Sequence, residues 1–250
     1  MMRKVALLVA VGFFLACLAG PVKASNTATG IPPAESLRLL KEGNARYLKG
    51  KPRHPHQDRV RRAMTTGQGQ HPLAAVLTCS DSRVPPEIIF DQGIGDIFVV
   101  RVAGNVAATD EIGSLEYAVD HLNTPVVIVM GHTQCDAIIA VLDDAKLPPN
   151  IDTLVEPIRV AVAKVRKDNP KADREVLLQA ATRENVWQSI ADMLEQSPII
   201  RERVKEGRVT VVGALYEIDS GQIQWLGPHP EQDDLVRAKK GRGKSGKRRR

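Results

Sequence analysis

The sequence predicts an α/β fold, a mostly parallel central sheet of about four strands plus a C-terminal antiparallel strand, covered by helices. Three observations predict it. Four short Val/Ile-rich runs, residues 73–78, 97–101, 125–130 and 208–215, have the length of buried strands. Segments with helical spacing of apolar residues alternate with them, the arrangement that covers both faces of a parallel sheet. The composition, 43% hydrophobic and 26% charged over 250 residues, suits one domain with a sizeable core. Only 4% of residues are aromatic, so Val, Ile, Leu and Ala must fill that core.

Taken in order, Arg3 and Lys4 precede an apolar stretch over residues 5–20, and Val22 and Ala24 make an A-x-A-like cleavage pattern before Ser25. Residues 1–24 are therefore expected to be a signal peptide, and the protein to be exported, to the periplasm or the cell envelope. An uncleaved anchor and lipid attachment at Cys17 are the alternatives, with Phe14 standing where a lipobox has Leu. No later apolar run reaches the roughly 18 residues that span a bilayer. Three cysteines exclude a disulfide-dense scaffold.

The folded domain is expected over residues 31–228. Leu37, Leu40, Tyr47 and Leu48 share one face of a helix at 34–49. Residues 51–70 are polar and basic, a loop with one short helix. Helices are expected at 111–122, 136–142, 158–167 and 173–196, the last with Trp187 facing the core or an oligomer interface. Asp219-Ser220-Gly221 turns the fourth strand back into residues 222–226, which makes that strand antiparallel. Residues 229–250 are expected to be a disordered basic tail. Nine Lys or Arg and no acid from Arg237 to Arg250 turn a charge of −3 for the preceding chain into +6 overall; without Arg3, Lys4 and Lys23 the body carries −6. Such a tail suits an anionic membrane surface or simple solvation, and export argues against nucleic acid.

Reactive residues gather where two predicted strands end, which is where open α/β sheets build their sites. Cys79-Ser80-Asp81-Ser82-Arg83 follows the first strand; Gly131-His132-Thr133-Gln134-Cys135 follows the third and opens a helix. Cys79, His132 and Cys135 offer two thiolates and an imidazole, a donor set that Zn2+ accepts in tetrahedral geometry. Three apart, His132 and Cys135 are expected to face one ion from a first helical turn, whose start also favours a thiolate at Cys135. A fourth position is left for water or for Asp81, and zinc with an open position makes hydroxide available near neutral pH. Asp81 and Arg83 allow a carboxylate–guanidinium pair that holds the carboxylate off the metal as a hydrogen-bond acceptor. A plain ion pair, a disulfide and an inert structural zinc are the competing readings.

Cys79-Ser80-Asp81-Ser82-Arg83-Val84-Pro85 with Gly131-His132-x-x-Cys135 resembles the β-class carbonic anhydrases. The likeness runs from about residue 31 to 226 and takes in Gly43-Asn44-Ala45-Arg46-Tyr47, Arg101-Val102-Ala103-Gly104-Asn105, Ser114-Leu115-Glu116-Tyr117-Ala118 and the Asp219-Ser220-Gly221 hairpin. It implies reversible hydration of carbon dioxide to bicarbonate and a proton by zinc-bound hydroxide, on a Zn2+ held by Cys79, His132 and Cys135. Asp81 is then either the fourth ligand of a closed state or the dyad partner of Arg83. The resemblance further implies that Gln70 binds substrate. It makes Phe98 and Tyr117 pocket-lining residues contributed across a dimer interface, hence a homodimer or higher oligomer. One branch has Trp three residues before the first Cys and binds regulatory bicarbonate; this chain has Val76 there, so the resemblance carries no such site. Two rivals remain. One is hydrolysis of carbon disulfide or carbonyl sulfide on the same scaffold, the other a non-catalytic protein that binds anionic surfaces through its tail.

Overall fold

The structure, a computed structural model, describes residues 30–237. The expected signal peptide with Cys17, and residues 238–250 of the basic tail, lie outside the described residues. Among the described residues no helix is long and apolar enough to cross a membrane.

Five strands form one sheet, β1 (Ala74–Thr78), β2 (Ile97–Arg101), β3 (Val126–His132), β4 (Thr210–Tyr216) and β5 (Ile223–Gly227), in the order β2-β1-β3-β4-β5. β1 runs parallel to β2 and β3, and β3 to β4, while β5 returns antiparallel to β4. The connections dictate this. Each parallel pair in sequence is joined through helix, and only the segment between β4 and β5, with Gly221 at φ 77, is short enough for a hairpin. The predicted fold class and all five strands are present. β3 runs two residues past its expected end, because pairing with β4 continues to His132 opposite Tyr216.

Every residue of β1 and β3 is buried, and successive side chains feed opposite faces. Ala74, Val76, Val126, Ile128 and Met130 meet Leu40 of α1 (Pro33–Leu48) and Ile89 of α3 (Pro86–Ile89). Ala75, Leu77, Val127, Val129 and Val211 meet α4 (Thr109–Glu116) and the long α8 (Arg174–Gln196) through Leu115, Val186 and Ile190. Burying a side chain such as Ile128 completely contributes about 1.5–3 kcal/mol. Trp187 belongs to this second core, half-buried and packed where Gly213 leaves room for its ring. Asp173 caps α8 by accepting the Val176 N–H at 2.9 Å, which fixes where the helix starts.

The remaining helices are α2 (Arg59–Gln68), α5 (Asp136–Leu142), α6 (Pro149–Leu154), α7 (Glu156–Asp168), α9 (Pro198–Lys205) and α10 (Gln232–Arg237). The α-helical geometry expected through residue 122 ends at Glu116 and gives way to a wider π-type turn over Tyr117–His121. α3, α6, α9 and α10 go beyond the sequence reading. Three of them place Pro in the first turn, where the missing N–H has no intrahelical partner to lose. α10 corrects the expectation of disorder from residue 229: Val236 is buried in the α8 core with Leu235 packed beside it, so the chain stays folded to Arg237.

The strand order places the site. From β1 the chain moves outward to β2, then crosses back over β1 to β3 and continues to β4 and β5. The direction of winding thus reverses between β1 and β3, and the carboxyl ends at such a switch point are where open α/β sheets build their sites.

Candidate metal centre

Cys79 follows β1 directly, and His132 is the last residue of β3. These are the two strand ends that flank the switch point. Cys135 then stands at the residue before α5, after a tight turn in which Gln134 adopts φ 56. The expectation that His132 and Cys135 share a helical turn is thus corrected, since His132 is held in the sheet and the turn brings Cys135 back beside it. The Cys79, His132 and Cys135 donor atoms all lie within 4.8 Å of one another, and all three residues are buried. The two cysteines are free, with their sulfurs 4.0 Å apart, about twice a disulfide bond length.

The histidine tautomer follows from geometry. His132 Nδ1 lies 2.8 Å from the Thr133 carbonyl oxygen, which only accepts, so Nδ1 carries the proton and Nε2 presents its lone pair. Nε2 is fully buried with no hydrogen-bond partner. A buried acceptor left orphaned between two cysteine sulfurs is what a soft divalent cation satisfies, so these residues fit zinc.

Asp81 leans away from that cluster. Arg83 Nε and Nη2 donate to its two carboxylate oxygens at 3.0 and 2.6 Å, and the Arg83 backbone N–H donates to Oδ1 at 2.9 Å. Its nearer oxygen stays 4.0 Å from His132 Nε2. The hydrogen bonds from Arg83, outweighing partial burial, hold the Asp81 carboxyl down at about 2. Arg83 Nη2 also reaches the Gln134 carbonyl at 3.2 Å, tying the loop after β1 to the turn after β3. Among protein groups alone, the Cys79 thiol is pushed down to about 4, first by the hydrogen bond from the Cys135 thiol; Cys135 is pushed up by that bond and by burial.

Two contacts of Arg101, the last residue of β2, escaped assignment from sequence. Its Nε donates to the Cys79 carbonyl at 3.0 Å and its Nη2 to the Asp81 carbonyl at 2.5 Å. The Gly104 N–H, in a 3₁₀ turn over Ala103–Asn105, donates to Cys79 Sγ at 3.3 Å. The rule that sites form at strand ends reaches Arg101, but a backbone donor such as Gly104 has no side-chain signature.

Gln70, Phe98 and Tyr117 are not brought to the cluster of their own chain. Gln70 is exposed and precedes β1, so the five-residue strand, about 16 Å long, separates it from Cys79. Phe98 lies beside Ala75 in the register, four positions short of Cys79. Its ring sits 6.2 Å from that of Tyr117, on the open edge of the sheet, where Tyr117 is 47% exposed.

A sequence model described as carbonic anhydrase matches residues 74–223. The chain is 39% identical over 194 residues to "Carbonic anhydrase 2" of Mycobacterium tuberculosis, covering 76% of this chain and 91% of that one. It is 37% identical over 196 residues to a carbonic anhydrase of Mycolicibacterium smegmatis, with 77% and 92% covered. Among solved structures, the β-carbonic anhydrase CcaA aligns at 27% identity with a TM-score of 0.61, over 77% of this chain and 99% of that one. A tetrameric β-carbonic anhydrase of Sordaria macrospora aligns at 27% identity and a TM-score of 0.62, over 76% and 96%. With Cys79, His132 and Cys135 gathered at the carboxyl ends of β1 and β3, the chain belongs to the β-class carbonic anhydrase family.

Proposed function

We propose that this protein hydrates carbon dioxide reversibly to bicarbonate and a proton, as a zinc-dependent carbonate dehydratase. The observation that carries the reading is the buried, orphaned His132 Nε2 between two cysteine sulfurs, with an ionised carboxylate 4.0 Å away. Cys79 Sγ, His132 Nε2 and Cys135 Sγ would hold the ion. Zinc bound there supplies a Lewis acid that lowers the pKa of a water from about 15.7 toward about 7, a figure from a three-histidine site that two thiolates shift upward.

Asp81 accepts a hydrogen bond from the attacking water through Oδ1 or Oδ2 and so aims it. Because Arg83 holds its carboxyl at about 2, Asp81 stays ionised at every working pH and acts only as an acceptor. The water oxygen forms the new bond to carbon, one carbon–oxygen π pair moves onto the substrate oxygen, and the proton passes to buffer. Gln70, Phe98 and Tyr117 stand too far from their own Cys79 to serve it. A second copy packed on the β2 edge would supply them to bind substrate, which makes the active form a homo-oligomer. Export to the periplasm or envelope, and attachment to an anionic membrane through the tail, belong to the same proposal.

Stopped-flow carbon dioxide hydration by zinc-quantified protein between about pH 6.5 and 9 tests it. Activity that rises with pH at about one zinc per chain is expected. Full zinc with no hydration across that range overturns the reading and turns attention to carbonyl sulfide and carbon disulfide.

A further inference from the structure

Behind the metal centre, α8 grips the turn that points an N–H at one of the sulfurs. Gly104 (φ 72, ψ 16) and Asn105 (φ 47) are successive left-handed residues, a conformation that persists in an Asn only when its surroundings hold it. Asn185 Nδ2 donates to the Gly104 carbonyl at 2.7 Å. One helical turn on, the Ser189 hydroxyl lies 2.9 Å from the Asn105 carbonyl and equally close to the Asn185 carbonyl, so its single hydrogen ties the turn to the helix. Asn185 is 0% exposed and Ser189 2%, so water does not compete for these bonds. The residue gripped this way is the one whose N–H meets Cys79 Sγ at 3.3 Å.

We infer that Asn185 and Ser189 are positioning residues for the metal centre, holding Gly104 so that its N–H draws charge from the Cys79 sulfur and sets how strongly that thiolate donates to a metal. The inference rests on Cys79 being a metal ligand, as proposed above. A hydrogen bond to a ligating atom tunes the ion as surely as the ligand's identity does. Neither residue touches substrate or ligates, and both act through the backbone of the turn.

The test uses the full chain loaded with Co2+ as a spectroscopic substitute, together with amide hydrogen exchange over residues 102–106. Asn185→Asp keeps the side-chain shape but faces the Gly104 carbonyl with an acceptor; Ser189→Ala is the milder variant should the first fold poorly. In Asn185→Asp the Gly104 amide is expected to exchange about tenfold faster while β1 and β3 keep their protection. The thiolate-to-cobalt charge-transfer band is expected to move to lower energy, with a smaller shift in the same direction for Ser189→Ala. Faster exchange with an unmoved band, or loosening spread evenly through α8 and the sheet, overturns the inference and leaves the two residues as packing alone. A wild-type chain that binds cobalt without any thiolate band condemns the metal reading itself, and this inference with it.

Discussion

Asp81 shows how much of a site turns on one side chain's orientation. Both of its oxygens are taken by Arg83, which leaves it beside the three donors without joining them. Asp81→Ala is expected to lower hydration turnover by about 100-fold while zinc content stays near that of the parent, since outer partners of metal sites carry effects of that order. Unchanged turnover at equal zinc would sink the assigned role. Cys79→Ser and His132→Ala, in contrast, are expected to lose the metal, which elemental analysis of the purified variants checks. The donor trio is legible in the sequence because thiol and imidazole chemistry is written in residue type, and the Asp-x-Arg pair because two residues of spacing suffice for it. Their geometry was less legible. Spacing of three suggested a helical turn between His132 and Cys135, whereas strand pairing with β4 claimed His132 first. Gly104 illustrates the opposite failure: its function is an N–H, and its need for glycine shows only in three dimensions. A Cβ there would lie 2.5 Å from Ile158 Cδ1 and 3.3 Å from the Ala137 Cβ, at a φ of 72. Gly104→Ala is therefore expected to destabilise the fold by about 2–4 kcal/mol, read as a lowered urea midpoint.

Among the helices, the long α1, α7 and α8 were readable from their apolar spacing, and the short ones led by Pro86, Pro149 and Pro198 were not, even though Ser197 caps the last of these. Proline signals a break unless the next residues are seen to carry a first turn, and four to eight residues supply too little periodicity to show it. α8 carries a feature that periodicity hides. Asp192 sits partly buried on it, with an amide hydrogen bond from Gln188 at 2.9 Å, and burial raises its carboxyl to about 6. A carboxyl raised on folding favours the folded state when protonated, so the stability it confers is full at low pH and declines as pH climbs from about 4 through 6. Asp192→Asn is accordingly expected to raise the melting temperature at pH 8, by the equivalent of about 1–3 kcal/mol, and to change little at pH 4. Thermal unfolding at the two pH values decides it, and an equal shift at both would show that the charge is not the cause.

At the scale of the whole chain, alternating strands and helices carried the fold class, since right-handed crossovers between parallel strands place helices over the faces of the sheet. The strand order and the exposed β2 edge were not readable, because which strand neighbours which depends on contacts far apart in sequence. The basic tail poses a separable question. α10 ends at Arg237, so a truncation after that residue keeps every described element. Removing residues 238–250 is expected to abolish salt-sensitive binding to vesicles rich in anionic lipid and to leave hydration activity intact, as vesicle co-sedimentation beside the stopped-flow assay would reveal. Retained binding would assign the attraction to the body instead, against its acidic balance. The last consequence comes from Arg101. It closes the outermost strand and clasps the carbonyls of both Cys79 and Asp81. The rim of the sheet is thereby tied by one side chain to the loop that carries Cys79 and Asp81. If a second copy packs on that rim, as proposed above, subunit concentration becomes a throttle: specific activity is expected to fall on dilution and to recover on reconcentration, and hydration assays across a dilution series check it.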